Sequence, residues 1–138
     1  MKKRICVGLL IIINGSMMSS TNNPKEKSSE MAKLMKQMLV FIQQERQQIE
    51  FNQPALQFPA DINKIRKAKI TKGKKLSENH EQYVVRFFED LNNYYQTKDS
   101  VERKVTFNVM INSCVTCHQH ECPGPITVIK KSLFEIKE

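Results

Sequence analysis

The chain has 138 residues, with 22 Lys and Arg against 14 Asp and Glu, for a formal net charge of +8. That length is one domain's worth, and no internal repeat or composition break suggests a second. Four glycines, no tryptophan and many helix formers favour an all-α fold.

The first twenty residues read as a secretory signal, in the order basic head, apolar run, polar end. Lys2, Lys3 and Arg4 precede an unbroken small or apolar stretch from Ile5 to Ile13, and Asn14, Gly15 and Ser16 follow. The stretch is far short of the roughly twenty residues a membrane-spanning helix needs. Export to the periplasm or an equivalent compartment is therefore expected, with residues 1–20 as signal peptide and 21–28 as a flexible leader carrying Pro24. Removing the three signal cations leaves about +5 from the stated +8. An exported chain of this charge is not expected to meet nucleic acid.

Four helices are predicted in residues 29–122, as an antiparallel bundle with short connections. The first spans about 29–50, where Met31, Leu34, Met35, Met38, Ile42 and Ile49 make an apolar stripe. Asn52, Gln53 and Pro54 stop it. A second is expected over 61–70 on the thin edge of Ile62, Ile65 and Ala68 or Ile70, before Gly73 breaks it. The third starts at Ser77 as N-cap and buries Val84, Phe87, Phe88, Leu91, Tyr94 and Tyr95. Asp99 and Glu102, three apart, have the spacing of a capping box for the fourth. That helix is expected to bury Val101, Val105 and Val109 or Met110, and Pro123 ends it, leaving 123–138 as a tail.

Within the fourth helix lies Cys114-Val115-Thr116-Cys117-His118, the C-x-x-C-H pattern of covalent haem attachment. Thiols three apart on a helix sit on adjacent turns of one face, so each can add to one haem vinyl group. The next residue then offers its imidazole to the iron. Cys114 and Cys117 are thus the candidate thioethers and His118 the proximal iron ligand of one covalent haem c. A rival use of the same stretch is zinc held by Cys114, Cys117, His120 and Cys122, although four ligands within nine residues would be cramped.

An exported helical bundle with Cys-x-x-Cys-His near the end of its last helix resembles the class II c-type cytochromes, over roughly residues 30–120. A Leu34-Met35-Lys36 start and a Ser113-to-His118 end are also similar to a set of short haem proteins from planctomycete-type bacteria. The resemblance implies one covalent haem, a first helix facing its open side, and pairing of subunits through helices one and two. For the shorter relatives it implies histidine–cysteine ligation and nitric oxide binding. The chain departs from the wider family after His118, where Gln119 to Pro125 and a tail replace the usual early end.

The distal side decides function. Met35 and Met38 would line it, either as core filler or, in the case of Met35, as an alternative axial ligand that would suit an electron carrier. Cys122, left over by thioether chemistry, is a candidate second axial ligand, a candidate intermolecular disulfide or an idle thiol. A pocket of Met and Leu would leave the iron open to NO or CO. Lys64, Arg66, Lys67, Lys69, Lys72, Lys74 and Lys75 form either a solvated face or a steering surface for an acidic redox partner. A dimer is expected, with a related acidic subunit as one form of it. No acid–base constellation surrounds the motif, so ligand binding, with electron transfer as the alternative, is expected rather than catalysis. His80 is read as a surface residue of a first helical turn.

Overall fold

A computed structural model describes residues 28–136, and the stretches expected to be a signal peptide and most of a leader lie outside that range. The described residues are helical, with no strand among them. Helix α1 (Glu30–Glu50) begins where the Ser29 hydroxyl accepts the Ala32 N–H, a side-chain cap for an otherwise orphaned donor. It ends at Phe51, followed by Asn52 in the left-handed region at φ 52°. Leu34, Met38, Phe41, Ile42 and Ile49 are its buried apolar stripe, and Met31 and Met35 sit half-buried at its edge.

The expected second helix is replaced by a strap. Residues 53–59, without regular secondary structure, lead into a 3-10 helix, Ala60–Arg66. Only Ile62 and Ile65 face the core there, and a spacing of three matches the 3-10 period. An α-helix over 61–70 would need apolar residues one and two turns further on, and Arg66 and Lys69 occupy those places. The strap returns along α1: Glu45 takes the Leu56 N–H at 2.8 Å near one end, and Met31 donates to the Lys69 carbonyl at 3.0 Å near the other.

Helix α2 (His80–Gln96) starts two residues later than predicted, with Asn79 and not Ser77 at the N-cap position. Ser77 does not cap it, because both its N–H and its hydroxyl donate to the Glu121 carboxylate. Val84, Phe87, Leu91 and Tyr94 are buried as expected, with Phe88 half-buried and Tyr95 more exposed. Helix α3 (Ser100–Glu121) starts where predicted, with Asp99 Oδ1 accepting the Val101 and Glu102 N–H groups at 2.9 and 2.8 Å.

The buried face of α3 matches the expected one only at Met110, the alternative to Val109. Val101, Val105 and Val109 are exposed, while Phe107, Met110, Ile111, Cys114 and Val115 enter the core. The first three lie four apart and drift around the helix onto the face opposite Phe107. The tail is also structured: α4 (Ile126–Lys130) doubles back along α3 and buries Ile129. Asn108 fixes its far end, accepting the Phe134 N–H and donating to the Phe134 carbonyl, both at 2.9 Å.

One buried carboxylate sets the relative directions of the elements. Glu45, fully buried late in α1, accepts from Tyr94 near the end of α2 and from Arg103 near the start of α3. α3 therefore runs opposite to α1 and α2. The start of α1, residues 69–71, the start of α2 and the end of α3 meet at the other end, where Ser29 and Thr71 hydroxyls lie 3.2 Å apart.

Candidate functional site

The last two turns of α3 carry the Cys-x-x-Cys-His segment to that end of the molecule. Cys114 belongs to the apolar core that also contains Met38, Met110 and Ile111. Its thiol approaches the Met110 carbonyl at 3.5 Å. Burial, and then the neighbouring Cys117, push the Cys114 thiol up to about 12. Cys117, three residues on and half-buried, is pushed up to about 11 by burial and then by the Glu121 charge. Both are neutral thiols at ordinary pH.

His118 is half-buried, and its Nδ1 lies 2.9 Å from the Cys122 carbonyl. A carbonyl only accepts, so Nδ1 carries the proton, and in the neutral ring the lone pair is on Nε2. Metal-binding histidines are commonly held this way, with the outer nitrogen donating to an oxygen. The same contact places Cys122 behind the imidazole, on the side away from Nε2, with its side chain exposed.

Met38 shares the core cluster with Cys114, whereas Met35 is half-buried at the rim of α1. His80 was missed by sequence reasoning. It is not a surface residue: its side chain is 12 % exposed, and neither ring nitrogen has a hydrogen-bond partner. The signal was present in the spacing His80, Val84, Phe87, Leu91, which continues the buried stripe of α2 back by one turn.

His80 Nδ1 faces Glu121 Oε1 at 4.0 Å. Burial works to raise the Glu121 pKa. The two Ser77 hydrogen bonds, then the His80 and His120 imidazoles, outweigh it and hold the carboxyl below the usual range. His120 itself is exposed and stacks on Tyr83, with ring centroids 5.3 Å apart.

Among the described residues no three His, Cys, Asp or Glu side chains converge on a common position for a metal ion, so the rival zinc quartet is not assembled. The basic run surrounds the same end of the molecule, since Lys69 N–H donates to Glu30 and its carbonyl accepts from Met31. Two of its members are paired, Lys64 with Asp61 at 2.6 Å and Arg66 with Glu81. An open groove of about 790 Å³ lies elsewhere, between α1 and the strap, lined by Val40, Phe41, Leu56 and Pro59 among others.

The donor set fits a covalent haem. Two thiols stand three apart on one helix, the adjoining imidazole has its outer nitrogen already satisfied, and a buried histidine beside them has unsatisfied nitrogens. Among the described residues no helix is long and apolar enough to cross a membrane. No protein-family profile, no curated protein and no solved structure matches the chain.

Proposed function

We propose that this chain is an exported monohaem c-type cytochrome of class II character that binds small diatomic ligands such as NO or CO. Cys114 and Cys117 hold the haem through thioethers, and His118 supplies the proximal nitrogen. When bound, the haem supplies an iron centre able to take a diatomic gas or pass an electron. The single observation that carries the reading is the His118 Nδ1 contact to the Cys122 carbonyl, which leaves Nε2 as the free donor on the residue that follows the two cysteines. Cys114 and Met38 share an apolar environment, which would exclude anions from a face of the group and favour neutral ligands.

A second reading, an electron carrier, is favoured by the exposed lysines 67, 69, 72, 74 and 75 around the same end. Such an apron would steer an acidic protein by long-range attraction that falls with salt. Dimerisation, with a more acidic subunit, belongs to the same proposal.

The test is intact mass and optical spectroscopy of protein made with a cytochrome c maturation system. The expected mass is the processed chain plus one haem, lost in a Cys114→Ala, Cys117→Ala double variant. The expected spectrum of the reduced protein changes on adding CO. Protein with stoichiometric zinc and no haem would overturn the reading, and an unchanged reduced spectrum under CO would favour the electron carrier.

A further inference from the structure

We infer that His80 is the second axial ligand of the iron, through Nε2, an inference that rests on the haem reading above. The starting observation is a buried imidazole with both nitrogens unpartnered. Buried polar atoms in folded proteins are nearly always hydrogen-bonded, so an unsatisfied pair marks a missing partner. The ring stands beside the motif: Glu121, which it faces at 4.0 Å, is one turn beyond Cys117 and three residues beyond His118.

The surroundings of the ring have the form of a ligand support. The Glu121 carboxylate is fixed by Ser77, whose N–H donates to Oε2 at 3.0 Å and whose hydroxyl donates to Oε1, the oxygen that also faces His80 Nδ1. At 4.0 Å this is a charge facing Nδ1 and not a hydrogen bond, and it favours the tautomer with the proton on Nδ1 and the lone pair on Nε2. His118 differs in that its Nδ1 is satisfied directly, by the Cys122 carbonyl at 2.9 Å. Imidazole nitrogen suits iron.

The other candidates are placed less well. Cys122 is exposed, and its carbonyl sits behind the His118 ring. His120 is exposed and stacked on Tyr83. Met35 lies at the rim of α1. With His80 and His118 both holding the iron, NO or CO would have to displace one of them. His80, on the first turn of α2 after an exposed loop, is the one free to leave, because His118 is tethered between two thioethers and a carbonyl.

The experiment uses the matured protein. Ferric electron paramagnetic resonance of the wild type should report a low-spin iron with two nitrogen axial ligands. His80→Ala and His80→Gln should keep the haem by mass yet turn high-spin, and added imidazole should restore the low-spin signal. Both variants should bind CO at least tenfold faster, while Cys122→Ala and Met35→Leu leave spectrum and rate unchanged. A wild-type signal with sulfur ligation or high spin overturns the role of His80 whatever the variants do. So does a His80→Gln protein that retains the wild-type spectrum. A wild type that carries no haem by mass instead overturns the haem reading itself.

Discussion

Arg103 Nη2 donates to Glu45 Oε1 at 2.9 Å, joining the start of α3 to the late turns of α1 through a carboxylate that is wholly buried. The same carboxylate takes the Tyr94 hydroxyl and the Leu56 N–H, so four segments converge on it. Breaking a buried ion pair by removing one partner strands the other charge. Glu45→Ala should therefore cost about 3–5 kcal/mol of stability. Glu45→Gln should cost less, because the amide oxygen still accepts. Lys64→Ala, which removes an exposed partner of Asp61, should change stability by less than about 1 kcal/mol. Urea unfolding midpoints of the three variants check the order.

Alkali should loosen the same region. Burial first, and then the Glu45 hydrogen bond, raise the Tyr94 pKa well above its ordinary value. Burial, followed by the Glu45 charge, raises Tyr95 to about 12. In both, the folded chain holds the proton more tightly than the unfolded one. Their contribution to stability is therefore complete below about pH 10, the ordinary tyrosine value, and falls as pH rises toward 12. Ultraviolet titration of the phenols should show two late ionisations in the folded protein that shift back to about 10 in denaturant.

The tail should behave as part of the fold. Asn108 makes two hydrogen bonds to the backbone of Phe134, whose ring also packs on Phe107 and lies under Arg46 and Lys104. Asn108→Ala should cost about 1–3 kcal/mol by stranding that backbone. Limited proteolysis should then cut after Lys130 or Lys131 faster in the variant than in the wild type.

Thiol reactivity gives a check on burial in protein made without haem. Cys122 is exposed and should alkylate first at mildly alkaline pH. Cys117 should follow slowly, and Cys114 should react only when the chain opens, since burial disfavours both thiolates. Peptide mass mapping over time reads the order. Equal rates at Cys114 and Cys122 would contradict the packing of α3.

Helices α1 and α2 were legible from a sustained apolar period, and α3 from its local start at Asp99 and its stop at Pro123. The strap was not, because Ile62 and Ile65 alone do not separate a 3-10 turn from an α-helix. Val101, Val105 and Val109 misled: apolar residues four apart look like a core stripe until Phe107 and Ile111 define the opposite face. Ser77 resembled a cap, yet its donors serve a carboxylate 44 residues away that no local pattern reveals. Glu45 escaped for the same reason, its partners being 49 and 58 residues distant. Of the site, the thiols and His118 are adjacent in the chain and were visible. The contacts of His80 depend on how α2 lies against α3, although its place on the buried stripe was readable.

The depth of Cys114 has a bearing on the order of events in the cell. On the haem reading, its sulfur must meet an electrophile as large as a porphyrin, yet in the folded chain that sulfur is walled in by Met110, Ile111 and their neighbours. A bond there would have to be made while α3 is still open, so attachment and folding would compete. A molecule that closes first has to undo part of its own core before it can be completed. Slow closure of this end would then be an advantage to the organism rather than a defect.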